Sequence, residues 1–126
     1  MELGNALNWF EIPVSDFDRA KKFYETIFDY QMPETIMGST RMGFFLYDFK
    51  GGKVGGAICY GDGYVASGQG ALIYLNCQPD LQVSLNRVEH AGGKIVQPKI
   101  PIDSGLGFIA WITDTEGNKV ALHSMA

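Results

Sequence analysis

The side chains that we single out as candidates for proton transfer are Glu11 and His123. Glu11 lies in the run Trp9-Phe10-Glu11-Ile12, whose apolar side chains would partly desolvate the carboxyl group. That setting suits a general acid or base. His123 lies near the C-terminus and could be the complementary acid or base, or a hydrogen-bond donor to a ligand. Each has a structural alternative, an ordinary ion pair or backbone contact for Glu11 and a strand hydrogen bond for His123.

Four further residues are of types that line small-molecule pockets: Trp9, Tyr74, Cys59 and Trp111. Such pockets are mostly apolar and contain a few placed polar groups. Trp9 shares a strand face with Glu11, because residues two apart point the same way. Trp111 could be a core residue, a pocket wall or a subunit contact, and the sequence does not choose. Cys59 belongs to no Cys-x-x-Cys pair, so a buried thiol is its simplest interpretation.

The elements that must position these residues follow from the hydrophobic period of the first half. Residues 7–14 alternate in part and are rich in strand formers, which predicts a strand. The period then becomes helical over about residues 16–28, with Ser15 or Asp16 as the cap. Paired glycines at 51–52 favour a hairpin turn. Three shorter strands are predicted over residues 30–37, 40–49 and 54–60.

The second half repeats this order. Residues 71–77 predict a strand, and Pro79 with Asp80 opens a helix. The apolar positions Leu81, Leu85 and Val88 form one face of that helix. Three strands are predicted to follow, over residues 94–103, 106–113 and 119–124.

Short matches between the halves indicate an internal duplication. Ala6-Leu7 recurs as Ala71-Leu72, Gly43-Phe44 as Gly107-Phe108, and Lys53-Val54 as Lys119-Val120, at nearly constant separation. We therefore predict an α+β fold of two tandem βαβββ modules, about residues 5–61 and 70–124, in one domain over 1–126. The eight strands would form an incompletely closed sheet around a cavity, with the helices outside. A ferredoxin-like domain is the alternative, and the extra strand in each half argues against it.

Composition excludes several classes of protein. The chain has 126 residues, of which 46% are hydrophobic and 19% charged, an ordinary balance for a folded domain. Its net charge of −4 gives no broad basic surface for nucleic acid or an anionic membrane. No apolar run approaches the ~20 residues that cross a bilayer. The N-terminal residues lack a secretory signal pattern, so the expected location is the cytoplasm.

Two segments carry a resemblance to a known family. Asn8–Asp16, followed by Arg19-Ala20, Phe23-Tyr24 and Phe28, resembles the opening module of the vicinal oxygen chelate superfamily. Asp114–Val120 is similar to the Asp-Pro-x-Gly-Asn turn of its closing module. The superfamily includes glyoxalase I (lactoylglutathione lyase), extradiol dioxygenases, epimerases and bleomycin-resistance proteins. The resemblance covers nearly the whole chain, but this fold hosts several reactions and also pure binders.

The resemblance implies a divalent metal held by His, Glu or Gln side chains on four strands. This chain has no such ligand at the matching positions, so we expect neither a metal nor another cofactor. A shifted metal site using Glu11 and His123 is an alternative. The four matching positions are Trp9, Ala121 and, by looser alignment, Leu72 and Gly55.

Two functions therefore remain open. The first is a ligand-sequestering small-molecule binder, as in the bleomycin-resistance branch. The second is a lyase or isomerase related to lactoylglutathione lyase, independent of metal, with Glu11 and His123 transferring protons. In both cases the expected partner is a small molecule rather than nucleic acid or membrane. The resemblance also implies a homodimer, whose apolar sheet edges would be covered by the second copy.

Overall fold

Residues 2–126 are described by the computed structural model, and their elements confirm two tandem βαβββ modules of an α+β fold. Each module runs strand, helix, then three strands. A short 3-10 turn at Asp103–Gly105 precedes the seventh strand. The helices are α1 (Phe17–Phe28) and α2 (Leu81–Val88). The strands are β1 (Trp9–Pro13), β2 (Glu34–Met37), β3 (Thr40–Phe44), β4 (Gly55–Tyr60), β5 (Ile73–Asn76), β6 (Lys94–Pro101), β7 (Phe108–Thr113) and β8 (Lys119–Ser124).

The eight strands form two four-stranded sheets, one from each module. The first has the order β1-β4-β3-β2 and the second the order β5-β8-β7-β6. In both sheets the first and last strands of the module pair in parallel, and the other pairs are antiparallel. The sheets do not close on each other, because no strand of one is hydrogen-bonded to a strand of the other. The predicted incompletely closed arrangement of eight strands is thus confirmed, as two four-stranded sheets.

Both helices begin at an aspartate cap: Asp16 is one of the two caps predicted for α1, whereas Asp80, predicted within the first turn of α2, is its cap instead. The Asp16 carboxylate accepts a hydrogen bond from the Arg19 N–H (3.1 Å) at the start of α1. Asp80 does the same for the Gln82 N–H (2.9 Å) at the start of α2. These bonds satisfy backbone donors that a helix leaves unpaired in its first turn. Among residues 2–126, no helix is long and apolar enough to cross a membrane.

Strand β3 ends at Phe44, five residues before the predicted end. The Asp48 carboxylate accepts a hydrogen bond from the Gly51 N–H (2.8 Å), and the Asp48 carbonyl accepts one from the Lys53 N–H (3.1 Å). These bonds fold residues 48–53 into a turn and take the chain out of the sheet. Asp side chains commonly compete with the ladder in this way. The segment carries exposed Tyr47 and Phe49, whose aromatic character resembles that of a strand.

One continuous hydrophobic core joins the modules. The helices pack against each other and against one face of each sheet. Strand alternation sends Ile12 of β1 and Leu75 of β5 into this core. We call the opposite face of each sheet its inner face. Trp9 and Glu11 lie on the inner face of the first sheet, and Tyr74 lies on that of the second, in the phase that the sequence predicts.

A buried carboxylate fastens the start of α1 to the second module. Glu116, whose side chain is 0% exposed, accepts hydrogen bonds from the Asp16 N–H (2.7 Å) and the Arg19 Nε (2.8 Å). The Ser15 N–H donates a third bond (3.0 Å). Burial acts to raise the pKa of Glu116, but these bonds outweigh it and lower the pKa to about 2. The carboxylate therefore holds the two modules together in its charged form.

Candidate functional site

The inner face of the first sheet carries an apolar cluster with one exposed carboxylate. Strand pairing sets Trp9 beside Gly55 and Glu11 beside Ala57. The Trp9 ring packs against Phe44, with ring centroids 6.1 Å apart. This first inner-face cluster consists of Trp9, Met42, Phe44, Ala57, Cys59 and Tyr64.

Glu11 is held at the edge of this cluster by a tyrosine that sequence reasoning missed. The Tyr64 hydroxyl donates a hydrogen bond to Glu11 Oε1 at 2.8 Å. That bond stabilises the neutral phenol and is the main reason why the pKa of Tyr64 rises to about 12. Tyr64 lies in the glycine-rich connection over residues 61–70, whose composition gives no strand or helix pattern. The only sequence feature that could have indicated a role for Tyr64 is that it is an aromatic residue in a polar segment.

Cys59 lies near the Glu11 side chain and is a protonated thiol. Burial raises the pKa of Cys59 to about 12, and the nearby Glu11 carboxylate adds to the effect. Cys77 is also buried, and burial raises its pKa to about 12 as well. Both cysteines are free. Neither thiol has the thiolate character that nucleophilic chemistry requires.

The inner face of the second sheet holds His123 and Trp111. His123 Nε2 lies 2.7 Å from the Leu106 carbonyl oxygen. A carbonyl only accepts, so Nε2 carries the proton and Nδ1 is left as the free ring nitrogen. Trp111 stacks under Lys119, whose Nζ lies 4.1 Å from the ring centroid. The Trp111 Nε1 is buried without a hydrogen-bond partner in residues 2–126.

A single chain does not bring the predicted acid–base pair together. Glu11 is hydrogen-bonded within the first module, to Tyr64, and His123 within the second, to Leu106. Glu11 lines a cavity between the modules that His123 does not line. The two residues thus occupy separate inner faces.

A large cavity is lined by residues of both modules. It has a volume of about 790 Å³ and reaches the aromatic rings of the first module. Phe10 and Phe45 lie 5.4 Å apart there, and Phe28 stacks on Tyr30 at 5.6 Å. Of the residues predicted for a pocket, Tyr74 lines this cavity. Its walls are Leu7, Phe10, Phe28, Tyr30, Phe45, Leu46, Tyr47, Asp48, Lys53, Val54, Gly55, Leu72, Ile73, Tyr74, Leu75 and Asn76.

Gly55 connects this cavity to the first inner face. A Cβ atom at Gly55 would overlap the Tyr47 ring, so only glycine lets that ring lie against the strand. Tyr47 in turn packs edge-on against Trp9, with centroids 6.1 Å apart. The predicted pocket residue Trp9 therefore supports the cavity wall through Tyr47.

The register decides which residues occupy the family's metal-ligand positions. Trp9 pairs with Gly55 in the first sheet, and Tyr74 pairs with Ala121 in the equivalent place of the second. Leu72, the looser sequence match, precedes β5. The Trp9 indole and the positions with no donor atom supply no metal ligand, and the Tyr74 phenol alone would not hold a divalent ion. Residues 2–126 also contain no group of three or more His, Cys, Asp or Glu side chains placed to hold one.

This fold and register place the chain among known proteins. The model of the Glyoxalase/Bleomycin resistance protein/Dioxygenase superfamily matches residues 6–122. Because the match spans most of the sequence, the chain belongs to this superfamily, and the resemblance seen in the sequence is confirmed. A search of curated proteins gives no significant match.

Solved structures share the fold at low identity. Glyoxalase I from Zea mays has a TM-score of 0.70 and 23% identity over 93% of this chain. The match covers only 45% of the maize chain. The fosfomycin resistance protein FosX from Listeria monocytogenes has a TM-score of 0.62 and 19% identity, covering 98% of this chain and 92% of that one. A superfamily enzyme from Burkholderia phytofirmans has a TM-score of 0.67 and 14% identity, covering 94% and 98%.

Proposed function

We propose that this protein binds a small molecule in the large cavity between its modules and carries out no metal-dependent reaction. The observation that supports this function is the cavity itself. Its volume of about 790 Å³ lies within the ~300–1,000 Å³ of typical ligand sites, and aromatic residues are prominent in its lining. The positions that match the family's metal ligands are Trp9, Ala121 and, by looser alignment, Gly55 and Leu72, and Tyr74 is the strand partner of Ala121.

The polar groups of this cavity indicate the chemistry of its ligand. Lys53 lines it and belongs to no ion pair of residues 2–126. Asp48, the other charged lining residue, is engaged in closing the turn at Gly51. A ligand with an aromatic body and an acidic group would stack on Phe10 and Tyr74 and place its charge at Lys53.

The test uses 1-anilinonaphthalene-8-sulfonate, an aromatic anion, as the probe. We expect saturable binding at one site per chain, weakened about tenfold by Tyr74→Ser, because a large ring contact is lost. Tyr60→Ser is the matched control, since Tyr60 is 47% exposed, close to the 51% of Tyr74, and does not line the cavity. Equal effects of the two substitutions, or no saturable binding, would reject this site.

A proton-transferring lyase or isomerase is the second candidate function. It is supported by the free Nδ1 of His123 and the exposed carboxylate of Glu11. A dimer that faces the first inner face of one copy with the second inner face of another would place both groups in one site. Turnover of methylglyoxal with glutathione, lost in Glu11→Gln and retained in the exposed control Glu89→Gln, would support this function. Retained turnover in Glu11→Gln would reject it.

The exposed apolar side chains support a homodimer. Ile36, Val65 and Leu106 are all more than half exposed in the single chain. Burying such residues against a second copy would remove apolar surface from water. Sedimentation velocity should then show a dimer, and a monomer at all accessible concentrations would contradict it.

We also propose a cytoplasmic location, in the reducing environment that keeps thiols free. The two free, buried cysteines support it. Cell fractionation of the tagged protein tests it, and recovery in an extracellular or periplasmic fraction would contradict it.

A further inference from the structure

A second, smaller cavity is lined by residues of opposite charge from the two modules. It has a volume of about 240 Å³ and is separated from the large cavity by Ile73, which lines both. Glu11 lines it from β1 of the first module. Lys119 lines it from the start of β8 in the second module.

These two charges are not paired with each other or with any other side-chain charge. No ion pair of residues 2–126 includes Glu11 or Lys119. Tyr64 donates to one carboxylate oxygen of Glu11, Oε1, which leaves Oε2 for another donor. The Lys119 ammonium lies over the Trp111 ring, which orients it without supplying a hydrogen-bond acceptor.

We propose that this cavity binds the zwitterion of an α-amino acid. The ligand's ammonium donates to Glu11 and its carboxylate accepts from Lys119, and a small apolar side chain packs against Ile73 and Ala71. A ligand with a single charge would match only one of the two charged side chains and would lose one charge-assisted contact. The volume, below that of drug-sized sites, restricts the ligand to a small molecule.

Tyr64 and Trp111 act as positioning residues in this site. The Tyr64 hydroxyl restrains the Glu11 carboxylate at 2.8 Å, and the Trp111 ring holds the Lys119 ammonium at 4.1 Å. Holding both charged groups in place before binding lowers the entropy lost when a ligand binds. The site does not depend on the aromatic ligand proposed for the large cavity.

Calorimetric titration with three probes that share an isobutyl group tests the proposal. L-valine carries both charges, isobutylamine only the ammonium and isovalerate only the carboxylate. We expect saturable binding of L-valine at one site per chain. Each singly charged probe should bind at least about tenfold more weakly, because one charge-assisted contact is missing. Equal affinity for the three probes, or no binding of L-valine, overturns the proposal.

Two substitutions, each with a matched control, test whether L-valine binds in the smaller cavity. Lys119→Met keeps an apolar side chain over Trp111, and Glu11→Gln keeps an acceptor for Tyr64, so both should fold. We expect each to weaken L-valine binding at least about tenfold. Lys94→Met and Glu89→Gln are matched controls at exposed positions that do not line this cavity, and both should bind normally. Unchanged affinity in Lys119→Met or Glu11→Gln would overturn the assignment.

The aromatic probe separates this site from the one in the large cavity. Tyr74→Ser should weaken 1-anilinonaphthalene-8-sulfonate binding and leave L-valine binding unchanged. Lys119→Met should do the reverse. If the large-cavity function fails, L-valine still binds. If L-valine does not bind while the aromatic probe does, only the zwitterion site is wrong.

Discussion

Replacing Glu116 by Gln should lower the free energy of unfolding at neutral pH and leave it almost unchanged in acid. The buried Glu116 carboxylate accepts bonds from two N–H groups and from Arg19, which lower its pKa from 4.5 to about 2. That difference corresponds to about 3 kcal/mol of folding stability. Arg19 is 52% exposed, so solvent screening reduces the expected loss to roughly 2 kcal/mol. Gln keeps an acceptor oxygen but loses the charge.

The sign of the pH dependence follows from the direction of the pKa. A carboxyl group with a lowered pKa in the folded state stabilises the protein fully above its unfolded value of about 4.5. This contribution disappears as the pH falls toward about 2, where Glu116 becomes protonated in the folded state. The difference in unfolding free energy between the wild type and Glu116→Gln should therefore shrink from roughly 2 kcal/mol at neutral pH toward zero in acid.

Urea denaturation at a series of pH values measures this difference. Other carboxylates with lowered pKa, such as Glu34 and Asp80, are present in both proteins and cancel. Glu89→Gln serves as the control, because Glu89 is exposed and forms no ion pair of residues 2–126. A stability difference that stays constant from neutral pH to acid would refute the role assigned to Glu116.

Three further substitutions or treatments test the packing. Tyr24→Phe removes the buried hydrogen bond from the Tyr24 hydroxyl to Asp114 (2.7 Å) and should lower the free energy of unfolding by about 1–3 kcal/mol. Thermal denaturation measures this loss, and an unchanged Tm would contradict it. Gly93→Ala should cost about 1–3 kcal/mol, because its Cβ would come within 2.7 Å of an α1 ring, whereas Gly4→Ala, with open space around it, should be neutral. Iodoacetamide should leave Cys59 unmodified at pH 8 until urea unfolds the chain, since burial raises the pKa of that thiol to about 12; mass spectrometry would detect early labelling.

Local sequence was enough to predict most elements of the fold. The Asp16 cap and the apolar faces of both helices depend on residues close in sequence, and the start of α2 was predicted two residues early. Strand alternation likewise predicted that Trp9 and Glu11 share a face. The end of β3 was predicted too late in the chain. The Asp48 side chain bonds to the backbone and ends the strand pairing, whereas the aromatic residues of this segment are typical of a strand.

Contacts between distant residues were not readable from the sequence. Tyr64 reaches Glu11 across 53 positions of the chain, and Glu116 reaches Asp16 across 100. Neither contact has a periodic pattern, since each depends on how a loop lies on the other elements. The candidate sites therefore gained their polar partners only in the folded molecule.

The sequence by itself determined the duplicated modules and the family, because these follow from local pattern and from residue type at each position. The tertiary structure alone decided how the modules pack, and so where the cavities lie. Their junction places Tyr74 beside Phe10 around one cavity and Glu11 with Lys119 around another. A cavity is the space left between packed surfaces, and its position depends on the relative placement of elements far apart in the chain.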